Sequence, residues 1–572
     1  MRTTTQVSLA LLLAALGLNV SDSRAQVPRG VVPAPPPAVQ GTHLKGWVDL
    51  HAHPMSYLGF GRKLIAGGVD VGSLLPADAQ CHHDVVATTM EQALGNDNAI
   101  HGGVNLVDNG CGDNFRNTVI NTLETTLGAL HPPEGGKGAP TFPTWPAWND
   151  VTHQKMWVEW IRRAFQGGQR VMVALAVNNK TLADGAAGTG DGPTDDKASA
   201  DLQTQKMKEF VARHSDFMAV ALGPAELESI VNAGKLAVVL GMEVDNIGNF
   251  NTVKPLNEAV VKSEIQRLAA LGIRYIFPIH VIDNSFGGTA VYDGGFNTSN
   301  YREAGHFWNL TCASTPEDIH YQYKPDGFDL FMSVGVQAKL GIDGFRQPPT
   351  PPNCGHSGHK NSAGLTPLGE FAVKEMMKAG MMVDIDHMSQ FSAERVLTIA
   401  EAVPGGGYPL MSGHTGVRGW HGNRDENKRT AAQLHRIAAL HGMFGLGMGG
   451  MDAYEWMAEY QEAVNLMNIP GPTPNYGAVA MGTDLNGLVP GARPRVGAKV
   501  SYSPFFPMSR LGNREWDYNR EGVAHYGLLN DFLKDAATAP NGPHLVESYV
   551  NGSADYFWHT WQKCETQRLN VH

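Results

Sequence analysis

The chain has 572 residues, 42% hydrophobic and 17% charged, and a formal net charge of -11 at pH 7. That composition supports a large buried core and excludes the disordered and fibrous classes. The acidic balance and the lack of any Lys/Arg-rich run exclude nucleic acid as an expected partner.

In chain order, Arg2, an apolar run over 9–18 and Ser23-Arg24-Ala25 ahead of Gln26 form the pattern of a secretory signal over residues 1–25. The run is too short to stay in a bilayer. There is no Cys beside the cleavage point and no apolar C-terminal tail, so the expectation is an exported protein, periplasmic or extracellular, without a stable membrane anchor. Residues 26–44 read as a Pro-rich leader. From residue 45, β-rich apolar runs alternate with helical patterns, the mark of βα units around a parallel sheet. Eight runs stand out, over 46–50, 170–177, 235–241, 273–279, 380–385, 408–412, 442–447 and 478–482. Helices are predicted over 156–165, 203–214, 225–233, 256–271, 367–379, 392–402 and 430–440.

Eight such strands predict an α/β fold, a TIM (β/α)8 barrel whose site lies at the C-terminal strand ends. An open doubly wound sheet is the alternative, without the Gly-x-Gly-x-x-Gly turn that would make it nucleotide-binding. Two intervals, about 54–168 and 285–365, are too long for barrel loops and predict large insertions over the site. A C-terminal extension begins near 488, with helices over 523–533 and between 545 and 566. Of five cysteines, proximity pairs Cys81 with Cys111 and Cys312 with Cys354, leaving Cys564. The run Cys81-His82-His83-Asp84 reads as a surface segment in an insertion.

The chemistry starts at Trp47-Val48-Asp49-Leu50-His51-Ala52-His53. Alternate residues of a strand share a face, so His51 and His53 can meet one metal ion. Alone, one His-x-His among 23 histidines means little. Other strands end in Gly241-Met242-Glu243, Pro278-Ile279-His280, Asp384-Ile385-Asp386-His387, Ser412-Gly413-His414 and Gly482-Thr483-Asp484. Five imidazoles and two carboxylates thus converge on one rim, a donor set suited to zinc-type ions. One ion takes three or four protein ligands, so seven groups point to two ions with a shared carboxylate, and Glu243 is the natural bridge. No Gly-x-Ser-x-Gly elbow supports serine catalysis. The run 443–451 reads as a strand and its loop.

On these segments, together with Leu365-Thr366-Pro367-Leu368-Gly369 and His525-Tyr526-Gly527-Leu528-Leu529, the chain resembles the membrane (renal) dipeptidase family of zinc metallopeptidases, within the amidohydrolase superfamily. The resemblance implies His51, His53 and Glu243 on one zinc and Glu243, His387 and His414 on the other, with other divalent metals able to replace zinc. It implies Asp484 as proton acceptor and donor, His280 polarising the scissile carbonyl, and Arg424 gripping the substrate carboxylate, with Arg418 and Arg429 competing in the same segment. The family usually carries His-x-Asp where this chain has His51-Ala52-His53, which removes one negative charge from the site.

The expected function is an exported binuclear zinc hydrolase that cleaves a dipeptide or related small amide through a metal-bridged hydroxide. An amidohydrolase acting on a lactone, ester or phosphoester is the alternative, and a non-catalytic, metal-stabilised binding protein is the third reading. The expected partners are a small-molecule or dipeptide substrate and, as an allowed assembly, a second copy of the chain in a homodimer.

Overall fold

Both-face burial shapes the chain. In the computed structural model, which describes residues 43–76, 85–94, 140, 142, 145–186, 192–325, 347–468 and 478–572, every residue of β1 (Trp47–Ala52) is buried. So is nearly every residue of β2 (Gln169–Asn178), which follows it in the sheet. A short β3 (Met218–Val220) comes next, then β4 (Leu236–Val244), buried throughout. The remaining parallel strands are β5 (Tyr275–Ile276), β8 (Met382–Asp384), β9 (Leu410–Thr415), β10 (Met443–Leu446) and β11 (Val479–Met481); β6 (Leu310–Cys312) and β7 (His359–Asn361) lie apart from them.

The pairing runs β2-β1-β11-β10-β9-β8-β5-β4, and β4 returns to β2, so eight parallel strands close a barrel. This is the expected TIM architecture. The closing seam is long, pairing Val171 through Asn178 with Ala237 through Val244. Strands buried on both faces read as continuous apolar runs, and each fully buried Val, Leu or Ile contributes about 1.5–3 kcal/mol relative to exposure.

β3 was not expected. It pairs with β4 at Leu236 to Val238, on the edge that β5 takes higher up at Gly241 and Met242, and so fills the lower half of one seam. Its three residues are too few for a period-two signal.

Outside the barrel lie α1 (Val158–Gln166), α2 (Asp196–Arg213), α3 (Pro224–Asn232), α4 (Glu258–Ala270), α5 (Pro367–Lys378), α6 (Gln390–Glu401), α7 (Ala431–Ala439) and α8 (Ala453–Met467). Their starts are set by caps. Thr366 accepts from the Gly369 N–H with Pro367 at the first helical position, and Thr430 and Gln433 form a capping box. α2 begins seven residues before the expected start, because Asp195 accepts from the Ala198 N–H and opens the helix there.

Within the 285–365 interval, β6 and β7 pair antiparallel, and Cys312 and Cys354 form the expected disulfide. Cys81 and Cys111 lie outside the described residues, as do the signal run 1–25 and most of the leader. Cys564 is a free, buried cysteine. Past the barrel come an antiparallel pair, β12 (Ser509–Leu511) with β13 (Arg514–Trp516), and helices α9 (Leu529–Ala536) and α10 (Ser553–Gln567). The helix expected over 523–533 starts later, because His525 caps a short turn, Tyr526–Leu528, that sends the Tyr526 hydroxyl inward to Asp49. The start of α10 holds the foot of β1: the Ser553 hydroxyl accepts from the Val48 N–H, and the Gly46 carbonyl accepts from the Ala554 N–H. Among the described residues, no helix is long and apolar enough to cross a membrane.

Candidate metal centre

The top of each contributing strand sends a polar side chain inward, and β1 sends two. β1 delivers His51 within the strand and His53 just past it, and β4 presents Glu243 one residue before its end. His280 and His387 stand four and three residues beyond β5 and β8; His414 is the penultimate residue of β9, and Asp484 follows β11 by three. Asp49 sets the height of β1 against β11. Its carboxylate accepts from the Thr483 N–H (3.0 Å), the Thr483 hydroxyl (2.7 Å) and the Tyr526 hydroxyl (2.9 Å). Burial lifts its pKa to about 6 in spite of those donors.

Two of the site residues hold left-handed backbones, His387 (φ 65°) and Asp484 (φ 52°). Non-glycine residues adopt that region at a cost, commonly at functional positions. Gly487 makes room for Asp484: a Cβ there would come within 1.8 Å of the Asp484 Oδ1.

All seven groups read from the strand ends come together, as three overlapping triads whose donor atoms lie within 4.8 Å of one another. These are His51–Glu243–His414, His51–His53–Asp484 and Glu243–His280–His387. His51 Nε2 is 2.9 Å from His53 Nε2 and 2.9 Å from Glu243 Oε2. His387 Nε2 is 2.8 Å from His414 Nε2 and 3.1 Å from Glu243 Oε1. Asp484 Oδ1 lies 3.1 Å from His53 Nε2. Glu243 therefore turns one oxygen to each histidine pair. His414 also stacks on His51, with ring centroids 3.8 Å apart.

The outward nitrogens of four of the five rings have partners of their own, whereas His51 Nδ1 is buried without one. His53 Nδ1 donates to the Leu175 carbonyl (3.2 Å). His280 Nδ1 donates to Asp245 (2.7 Å), and His387 Nδ1 meets the Tyr292 hydroxyl (2.8 Å). His414 Nδ1 faces Asp386 at 3.2 Å. A ring whose Nδ1 carries the proton turns a lone pair inward at Nε2, the arrangement of metal-binding histidines with oriented outer partners. The Nε2 atoms of neighbouring rings approach each other to 2.8–2.9 Å, and Glu243 Oε1 is buried without a hydrogen bond. Such a cluster needs cations between its members, so the residues present fit divalent metal.

Asp245, Asp386 and Tyr292 were not read as site residues from the sequence. Asp245 follows Glu243 by two, just past the end of β4, and the period of an extended run would put both on one face, a signal that was available. Asp386 is held by the Ser412 hydroxyl and the His414 N–H. Tyr292 comes from the 285–365 interval and carried no signal.

Without metal, the cluster shares few protons. Burial lowers His51 to about 4 and His387 to about 3. Burial also opposes charge on His53 and His414, but hydrogen bonds to Asp484 and Glu243 lift His53 to about 10, and Asp386 lifts His414 to about 9. Asp386 itself is held well below the usual range: burial works against its charge, and His414 and Arg429 outweigh burial. Metal uptake at pH 7 must therefore displace protons from His53 and His414. Calorimetric titration in buffers of different ionisation enthalpy should show proton release, with affinity rising as pH climbs toward 9–10; a buffer-independent enthalpy would contradict this. The raised pKa values also stabilise the metal-free fold. That contribution is full below the ordinary histidine value and is lost as pH rises through about 9 and about 10.

A cleft of about 380 Å³ opens beside the cluster, with His414, Thr483 and Asp484 at its inner end and Trp420, Met448 and Lys428 among its walls. Arg424 is not brought into the cluster. Its guanidinium pairs with Asp318, and its carbonyl accepts from the His320 and Tyr321 N–H groups. Arg418 is buried and donates to the carbonyls of Glu317, Glu426 and Lys428; Arg429 is buried beside Asp386.

A closed parallel barrel gathers imidazoles and carboxylates at its C-terminal rim, the arrangement of a metal-dependent enzyme centre. The resemblance to one family is upheld as well: residues 350–445, which carry His387 and His414, match the model of membrane dipeptidase, peptidase family M19. The structure is similar to an amidohydrolase from Pseudomonas aeruginosa (12% identity, TM-score 0.41, covering 71% of this chain and 92% of that one). It is also similar to dipeptidase AC, a metallopeptidase of family M19 (13%, 0.41, 71% and 88%). A third is a metallopeptidase from Rhodobacter sphaeroides, solved with a phosphinate mimic of the dipeptide L-Ala-D-Ala (14%, 0.41, 71% and 89%). No curated protein sequence matches the chain.

Proposed function

We propose that the protein is an exported, binuclear zinc hydrolase that cleaves a dipeptide or related small amide. The observation that carries this is Glu243, with one carboxylate oxygen turned to His51 and His53 and the other near His387 and His414. A carboxylate placed this way can be shared by two ions, with a histidine pair on either side. When bound, such ions make a deprotonated water available near neutral pH and polarise the amide.

The chain's own groups do the rest. Asp484 reaches into the cleft beside His53; it takes the proton from the attacking water and returns it to the departing amine. Burial works against its charge, but His53 and His51 outweigh burial and hold its pKa below the usual range, so it is ionised and able to accept. His280 faces the site through Nε2 while Asp245 fixes Nδ1. Burial opposes its charge, but Glu243 and Asp245 raise its pKa, which favours a ring with both nitrogens protonated, able to donate Nε2–H to the developing oxyanion.

The carboxylate-binding role moves from Arg424 to Lys428. Arg424 is engaged by Asp318, whereas Lys428 lines the cleft and extends over Gly416, another of its wall residues. A charged hydrogen bond of about 1.5–3 kcal/mol converts to a roughly ten- to hundredfold rise in KM for Lys428→Ala. Arg424→Ala should leave KM near wild type, and the opposite ranking would restore the role to Arg424.

A substrate panel tests the reading. Release of free amino acids from dipeptides, abolished by a chelator and restored by zinc, is the expected result. Turnover confined to lactones, esters or phosphoesters would replace it with the amidohydrolase alternative.

A further inference from the structure

One part of the 285–365 interval reaches the metal centre, through the run Thr289 to Tyr292. Thr289 bridges antiparallel to Met388, directly after His387. The His387 carbonyl accepts from the Ala290 N–H at 2.7 Å, and the Thr289 hydroxyl lies between the carbonyls of His280 (2.5 Å) and His387 (3.0 Å). The Tyr292 hydroxyl then meets His387 Nδ1 at 2.8 Å. One four-residue run thus holds both the backbone and the ring of a residue whose φ is left-handed. The run is itself anchored: Glu426 accepts from the N–H groups of Val291 and Asn361, and Asn361 donates to the Thr289 carbonyl.

We infer that Tyr292 is the positioning residue for His387, accepting its Nδ1–H so that the Nε2 lone pair is fixed toward the Glu243 side of the centre. The inference rests on the two-ion reading and adds an asymmetry to it. His414 is backed by the carboxylate of Asp386 and His53 by a carbonyl, while His387 is backed by the phenol of Tyr292. A carboxylate partner increases ligand basicity more than a phenol does. The ion held through His387 is therefore the one controlled by Tyr292.

The test is equilibrium titration of metal-free wild-type and Tyr292→Phe protein with Zn2+ against a competing chelator, repeated with Co2+ and read by its absorption. Loss of an outer hydrogen bond to a ligand weakens binding by about 10–100-fold. Tyr292→Phe should show that loss for one of two ions and change the Co2+ spectrum of that ion only. Its metal-free melting temperature should match wild type. Wild-type affinity for both ions in Tyr292→Phe overturns the inference, as does an equal loss at both accompanied by a lower metal-free melting temperature. If wild type takes only one ion, the two-ion reading fails instead, and the role of Tyr292 is decided by whether Tyr292→Phe weakens that ion.

Discussion

Replacing Asp484 with Asn should lower kcat on a dipeptide by about 10²–10⁴-fold, the usual share of a positioned acid–base group, while both metal ions remain bound. The substitution keeps the side chain's shape, which fits beside Gly487 as the aspartate does. It removes the carboxylate's charge, and with it the ability to take a proton. His51, His53 and Glu243 stay in place as donors, so metal content is expected to hold and KM to change little. Loss confined to kcat is what removal of an interaction made only in the transition state produces. Near-wild-type turnover in Asp484→Asn would assign the proton transfer to another group. If Asp484→Ala kept the protein's biological activity with two ions bound, the non-catalytic, metal-stabilised reading would replace the enzyme.

Glu243→Gln should do more damage, and of another kind. The amide has one oxygen and one NH2 group, so it cannot offer an anionic oxygen to both histidine pairs. A metal ion contributes several kcal/mol to transition-state stabilisation, so losing it is expected to cut kcat/KM by at least about 10³-fold, with fewer than two ions retained. Metal-free protein shows the same carboxylate from the stability side. Burial works against the charge of Glu243, but the surrounding histidines hold its pKa well below the ordinary value. A lowered carboxylate pKa gives stability that is present above the ordinary glutamate pKa and lost as pH falls through the folded value. Metal-free Glu243→Gln should therefore melt below metal-free wild type at pH 7, and the gap should narrow in acid. Equal melting at pH 7, or full metal content in the variant, would count against Glu243 as the shared group.

The barrel was legible because its strands are buried on both faces and so appear as unbroken apolar runs. Their C-terminal ends could be read for the same reason: a polar residue closing an apolar run has nowhere to point except the rim. That located His51, His53, Glu243, His280, His387, His414 and Asp484. What stayed hidden depends on contacts between distant segments. Tyr292 reaches His387 across 95 positions of sequence, and no local pattern encodes that. Arg424 and Lys428 lie on one loop and look alike as cations. Only the folded insertion, which brings Asp318 to Arg424, separates them. Asp245 and Asp386 were within reach, since each stands two residues along from Glu243 and Asp384 in a strand-end run.

The most direct measurement is anomalous diffraction at the zinc edge from crystals of the zinc-loaded protein. Two peaks, one on each side of the Glu243 carboxylate, with His51 and His53 at one and His387 and His414 at the other, are the predicted result. A single peak, or none within reach of Glu243, would contradict it.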